Sequence, residues 1–148
     1  MSLKKGDLAP EFTLPSTSGK DFILSNYKGK PVLIYFYPKD FTPGCTKEAC
    51  TFGENHDNFK GLGIDVFGIS TDSLEKHKKF KEKHQLPFDL LSDPKGKVAK
   101  QYDALMPFLN ITKRVTYLIG PDQKILDVYD SLFNYRSHIH TILENLEK

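Results

Sequence analysis

The chain carries two cysteines, Cys45 and Cys50, within the segment Pro38-Lys39-Asp40-Phe41-Thr42-Pro43-Gly44-Cys45-Thr46-Lys47-Glu48-Ala49-Cys50. Thr42-Pro43-Gly44 reads as the start of a helix. Threonine is a good N-cap, and proline at the first helical position gives up an N–H that would lack a partner anyway. Cys45 then falls at the third helical position, beside free backbone N–H groups and the positive end of the helix dipole. Both favour thiolate over thiol, and the thiolate is the nucleophile. The Thr42 hydroxyl nearby has a donor and acceptors with which to hold a small polar substrate. A packed, inert thiol is the competing reading, since free cysteines are often buried, but Gly44 and the polar surroundings argue against it.

Cys50 is informative through its distance. Five residues of α-helix give ~7.5 Å of rise and ~140° of rotation, which sets the two Cα atoms roughly 8–9 Å apart on different sides of the helix. A disulfide needs Cα atoms within ~7 Å. A bond between the two sulfurs therefore requires the helix to unwind, and such a bond is transient and catalytic rather than a staple. Gly44 and Gly53, weak helix residues at either side, lower the cost of opening. A metal site is the other use for two cysteines. It needs further ligands, and a close Cys-x-x-Cys pair is absent. His138 and His140 are two apart on a helix and point in different directions. His56, His77 and His84 fall in lysine-rich or polar segments and are expected at the surface. No metal is expected.

The elements that must position these residues follow from the rest of the chain. Its 148 residues suit a single domain, 1–148, large enough to bury a core without cross-links. The formal charge of +2 gives no reason to expect nucleic-acid binding. Residues 75–83, where acids and bases alternate, read as the wet face of a helix. The longest apolar run, residues 32–37, falls far short of the ~20 residues that span a bilayer. Asp7 comes early, and no apolar stretch of signal-peptide length follows it. The expected setting is cytoplasmic, where paired cysteines are more often catalytic or metal-binding than structural.

Residues 11–14 and 21–24 flank a Pro-Ser-Thr-Ser-Gly turn and suggest an N-terminal β-hairpin. Residues 31–37 form a continuous β-branched and aromatic run, expected as a central strand covered on both faces. A helix is expected from 43 to about 60, closed by Gly61 and Gly63. A strand over 64–70 follows, then a helix capped by Ser73 and running to about 84. A short strand over 88–91 and a short helix over 98–102 come next. Residues 115–119 and 124–129 flank Gly120-Pro121-Asp122-Gln123, a hairpin signal. Ser137 is placed to cap a last helix, with Ile139, Ile142, Leu143 and Leu146 at helical spacing. The fold class is α/β: a mixed central sheet flanked by helices, with reactive loops at strand C-termini.

Pro38-x-x-x-Thr42-x-x-Cys45 resembles the active-site motif of the peroxiredoxins. The second cysteine five residues on is similar to the bacterioferritin-comigratory-protein (Q-type) subfamily. The likeness extends over Gly6-Asp7-x-Ala9-Pro10-x-Phe12, Gly68-Ile69-Ser70-x-Asp72, Leu90-Leu91-Ser92-Asp93-Pro94 and Arg114-x-Thr116-Tyr117-Leu118-Ile119. The resemblance implies a thioredoxin-like fold and reduction of hydrogen peroxide and organic hydroperoxides, without metal, haem or flavin. By it, Cys45 is the peroxidatic nucleophile, and Cys50 resolves its sulfenic acid as an intramolecular disulfide that a thioredoxin-type protein reduces. Thr42 would hydrogen-bond the peroxide, and Arg114 would stabilise the thiolate and the leaving oxygen. Pro38 would screen the sulfur from water, and Glu48 would orient Arg114. A monomer, at most a weak dimer, is expected.

One segment departs from the subfamily pattern. Residues 102–113 lack its Gly-rich, basic character, and Met106-Pro107-Phe108-Leu109 supplies an apolar cluster for the peroxide entrance or a contact surface. Two other functions stand beside the peroxidase. A thioredoxin-like dithiol–disulfide oxidoreductase would ordinarily have Cys-x-x-Cys spacing. A redox-sensing holdase would use helix opening to expose a binding surface.

Overall fold

A computed structural model describes residues 3–106 and 108–130, together with Ile139, Ile142 and Glu144. The expected hairpin is present in shortened form as β1 (Thr13–Leu14) and β2 (Phe22–Ile23), paired antiparallel. The apolar run becomes β3 (Val32–Phe36), all five residues of which are buried. It runs parallel to β4 (Asp65–Ser70), which runs parallel to β5 (Asp89–Ser92). On its other side β3 pairs antiparallel with β6 (Val115–Ile119), and β6 with β7 (Ile125–Asp130). The sheet order is β5-β4-β3-β6-β7, which makes the sheet mixed, as expected.

Because side chains alternate along a strand, β3 feeds two cores. Val32, Ile34 and Phe36 join Phe12, Phe22, Tyr102 and Tyr117 on one face. Leu33 and Tyr35, with Tyr37 just beyond, join Phe52, Phe59, Phe80, Ile139 and Ile142 on the other. Cys45 belongs to this second core. The Tyr35 ring stacks on Phe52 at 4.5 Å between centroids. Full burial of one such aromatic ring contributes about 1.5–3 kcal/mol, so the reactive helix is held down mainly by apolar contact.

The helix expected over 43–60 is two helices: α1 (Pro43–Glu54) and α2 (His56–Gly61). The break sits at Asn55, whose backbone N–H and side-chain Nδ2 both donate to the Thr51 carbonyl, at 3.2 and 2.9 Å. Asparagine competes with the helix ladder in this way, and Gly53 just before it weakens the helix further. α3 (Leu74–His84) starts as expected, with Ser73 Oγ accepting from Lys76 N at 3.2 Å. Its exposed residues include Glu75, Lys78, Lys79, Glu82 and Lys83, the wet face expected from their alternating charge. His77 corrects the surface expectation: it is fully buried beside Phe80 on the inner stripe, while His56 and His84 are half-buried. α4 (Lys97–Gln101) matches the expected short helix. The terminal helix expected from Ser137, with Leu143 and Leu146, and His138 and His140 as well, lies outside the described residues; Ile139 and Ile142 are helical and buried. Among the described residues no helix is long and apolar enough to cross a membrane.

Gly68 shows how tightly the second core is set. It pairs with Tyr35 across β3 and β4, and a Cβ at this position would lie 2.8 Å from Tyr35 Cζ and Oη and 2.9 Å from Leu90 Cδ2. Gly68→Ala is expected to destabilise the protein by about 1–3 kcal/mol through overpacking. Urea unfolding followed by circular dichroism checks this.

Candidate active site

β3 ends at Phe36, and residues 37–42 carry the chain from the C-terminal end of this central strand into α1. Several contacts fix this loop. Tyr37 N donates to Ile69 O at 3.1 Å, and Asp40 N donates to Asp72 Oδ2 at 2.7 Å. Phe41 adopts a left-handed φ of 65°, and its ring meets Phe80 edge-on at 5.1 Å. A bulky residue in that conformation is held by its surroundings. Thr42 occupies the N-cap position with extended backbone and Pro43 opens the helix, as the sequence implies. The threonine side chain does not cap, however; its Oγ1 donates backward to Lys39 O at 2.8 Å. The N–H groups of Gly44 and Cys45, which have no partner inside the helix, are thus left without a side-chain cap.

Cys45 is only 2% exposed. Arg114, just ahead of β6, reaches over α1: its Nη2 donates to Cys45 Sγ at 3.3 Å and its Nη1 to Glu48 Oε1 at 2.6 Å. Cys45 and Glu48 can share this one guanidinium because three residues along a helix lie on the same face. Gly44 leaves the cation room, since a Cβ there would stand 3.3 Å from Arg114 Nη2. Burial opposes the charge on Arg114, but Glu48 and the Cys45 sulfur outweigh it and push the guanidinium pKa up. Glu48 is wholly buried, and its Oε2 has no hydrogen-bond partner among the described residues. Desolvation therefore outweighs the pull of Arg114 and raises the carboxyl pKa from its usual 4.5 to about 7.

The site residues expected from the sequence divide into two groups. Cys45, Glu48 and Arg114 are in direct contact, Thr42 stands at the helix entrance, and Pro38 is half-buried at the start of the loop. Cys50 stands apart. It is half-buried in a groove with Gly53, Glu54, His84, Gln85, Leu86 and Pro87, on the same unbroken α1 as Cys45. Burial, with Glu54 adding to it, pushes the Cys50 thiol pKa up. In the departing segment, Thr112 Oγ1 donates to the Tyr37 carbonyl, which ties residues 105–112 to the end of β3. Phe108 and Leu109 project into solvent, and Pro107 lies outside the described residues.

Sequence reasoning missed a second cluster behind the loop: Asp40, Asp72 and His77, whose ligand-type atoms lie within 4.8 Å of one another. These atoms are already engaged. Asp40 Oδ2 meets His77 Nδ1 at 2.6 Å, and Asp40 Oδ1 accepts from Tyr37 Oη at 2.5 Å. Asp72 Oδ2 accepts from Asp40 N and from Ser70 Oγ, each at 2.7 Å, while Asp72 Oδ1 pairs with Lys76 at 3.1 Å. The available signal was the position of His77 three residues before Phe80, on the one apolar stripe of a charged helix.

Comparison with known proteins gives a consistent result. Residues 5–128 match the AhpC/TSA family. The chain is 44% identical over 144 residues to a chloroplastic peroxiredoxin Q from Sedum lineare, covering 97% of this chain and 77% of that protein. It is 40% identical over 153 residues to peroxiredoxin Bcp of Bacillus subtilis, covering 99% and 97%. Among solved structures, peroxidoxin BcpB from Mycobacterium tuberculosis superposes with a TM-score of 0.90 at 38% identity, over 98% of this chain and 97% of that one. A Xanthomonas campestris bacterioferritin comigratory protein, studied for alkyl peroxide reduction, superposes with a TM-score of 0.82 at 26% identity, over 93% and 92%.

The raised pKa of Glu48 sets a direction for stability against pH. The folded state holds the Glu48 proton more tightly than the unfolded chain, so its contribution is fully present below about 4.5 and is lost as pH rises through about 7. Relative to Glu48→Gln, the parent protein is expected to lose stability between pH 5 and pH 8, on the order of 3 kcal/mol. Urea midpoints of the two proteins at both pH values measure it.

Proposed function

The chain belongs to the AhpC/TSA family and is a thiol peroxidase of the peroxiredoxin Q and Bcp kind, and from that premise we propose that Cys45 is its peroxidatic nucleophile and Cys50 its resolving thiol. The observation that carries the assignment is the Arg114 fork, which donates to Cys45 Sγ and to buried Glu48 at the first turn of α1. A cation and uncapped helix N–H groups at one sulfur favour negative charge there and at an oxygen brought against it.

In the first step the Cys45 thiolate attacks the outer oxygen of a hydroperoxide. An S–O bond forms as the O–O bond breaks, sulfur is oxidised to sulfenic acid, and the alkoxide or hydroxide leaves as alcohol or water after taking a proton. Arg114 stabilises the charge that gathers on the departing oxygen, and Glu48 holds the guanidinium in register. The Thr42 hydroxyl, at the helix entrance, hydrogen-bonds the peroxide, and Pro38 limits access of water. In the second step the Cys50 thiolate attacks Cys45 sulfur, the S–O bond breaks, and hydroxide leaves as water after taking a proton. The product is a Cys45–Cys50 disulfide. A thioredoxin-type dithiol then reduces it by exchange, returning two thiols and taking up the disulfide.

The spacing of the two cysteines makes the second step conditional. With both on one straight helix, the sulfurs meet only after α1 opens. Burial and Glu54 hold Cys50 as the thiol while the helix is closed, so opening also removes a brake on the resolving nucleophile. The proposed setting is the cytosol, where such pairs are kept reduced. The protein is proposed to act as a monomer, at most a weak dimer, without membrane or nucleic acid; its formal charge of +2 fits that reading.

Cys45→Ser is expected to abolish rapid oxidation by hydrogen peroxide and by an alkyl hydroperoxide. Cys50→Ser is expected to keep the first oxidation within a few-fold, to accumulate sulfenic acid, and to overoxidise. Turnover with thioredoxin, thioredoxin reductase and NADPH, with mass spectrometry of the trapped sulfur, reads both. Undiminished peroxide turnover in Cys45→Ser contradicts the assignment, as does undiminished thioredoxin-dependent turnover in Cys50→Ser.

A further inference from the structure

Asp40 and His77 take no part in the chemistry above, yet both are buried, at 1% and 0% exposure. Burying a carboxylate and an imidazole is costly unless every lone pair and proton is matched, and apolar residues of similar volume would hold the fold as well. Their partners can be counted. His77 Nε2 lies 2.9 Å from Leu91 O, which can only accept, so Nε2 carries a hydrogen. Asp40 Oδ1 accepts from Tyr37 Oη, a phenol that burial first, then Tyr35 and Asp40, keep protonated. That leaves Asp40 Oδ2 facing His77 Nδ1 at 2.6 Å, with one proton between them. All four heteroatoms are matched.

We propose that Asp40 and His77 are positioning residues of the peroxidase, a proton-sharing latch that pins the reactive loop to α3 while α1 opens and closes. The proposal rests on the thiol-peroxidase reading above. Its basis is where the latch sits. Asp40 is two residues before Thr42 and five before Cys45, and it joins the end of β3 through Tyr37, α3 through His77 and β5 through Leu91. The Asp40 N–H adds a bond to Asp72, itself fixed by Ser70 and Lys76, and the Phe41 ring adds its contact with Phe80. All of these ties fall on the N-terminal side of Cys45. Opening therefore has a fixed boundary: residues 38–42 stay in place as α1 unwinds beyond them, and the peroxide pocket re-forms when the helix closes.

Loss of the latch then acts oppositely on the two chemical steps. The folded site becomes less populated, which slows peroxide attack, while disulfide formation, which needs the open helix, does not slow. Loss of overall stability in a protein that remains folded produces no such split. Rapid-quench mass spectrometry of the reduced protein with hydrogen peroxide separates thiol oxidation from disulfide formation. In Asp40→Ala, thiol oxidation is expected to slow about tenfold with disulfide formation as fast as in the parent or faster. Asp40→Asn is expected to recover most of the lost rate, because its Oδ1 can accept from Tyr37 while Nδ2 donates to Nδ1 of the Nε2–H imidazole. Unchanged oxidation in Asp40→Ala overturns the proposal, as does equal slowing of both steps or an Asn variant as slow as the Ala variant. If Asp40→Ala does not fold, Tyr37→Phe decides: slower oxidation alone supports the latch, and any other result overturns it. A parent protein that peroxide does not oxidise at all would instead remove the peroxidase reading.

Discussion

Two cysteines sit on one helix at a spacing that keeps their sulfurs apart, and the proposed resolving step has to answer to that constraint. Cys45 is buried against the sheet at the first turn of α1, and Cys50 lies in a groove toward its far end. On the proposed mechanism α1 has to be ordered enough to hold one sulfur against a cation and weak enough to come apart. It is short, 12 residues, and closes at Asn55 instead of running on into α2. Helices of that length draw their stability from packing rather than from propensity. Glycines at 44 and 53 reduce what propensity there is. What does not need to move is built differently: β3 is buried on both faces, and Gly68 accepts the Tyr35 ring at van der Waals contact.

The charges around Cys45 tie the chemistry to the same motion. Arg114 serves a sulfur and a carboxylate that share one face of α1 only while it is helical. In the proposed cycle, unwinding would separate Cys45 from the guanidinium and bring Glu48, whose carboxyl pKa burial raises to about 7, toward water. On that proposal the closed helix favours peroxide attack, and opening would relieve the desolvation of both Glu48 and Cys50. In the proposed cycle one conformational equilibrium orders the two steps.

Much of this was legible in the residues. The apolar run at 31–37, the proline-led helix start at Cys45 and the Ser73 cap each rest on local backbone rules, and each is where those rules put it. The spacing of Cys45 and Cys50 carried the geometric conflict without any structure. What was not legible depends on long-range partners. His77 looks like one more polar residue among lysines, and its inward face makes sense only once Asp40 from another element needs a donor. Glu48 could have been an exposed helix charge; Arg114, 66 residues on, makes it a buried one. The break at Asn55 turns on an asparagine side chain folding back onto Thr51 O, a local choice that periodicity does not register. Thr42 stands at the N-cap position, but its hydroxyl bonds backward and leaves the helix N–H groups without a side-chain cap.

The central claim is that the disulfide and the intact α1 exclude one another. Amide hydrogen exchange, resolved by residue and compared between the reduced protein and the protein oxidised by one equivalent of peroxide, tests it most directly. The expected result is that amides of residues 46–53 lose protection on oxidation while those of β3 and β4 keep theirs. Equal protection of residues 46–53 in both states, with the Cys45–Cys50 disulfide verified by mass, would contradict it.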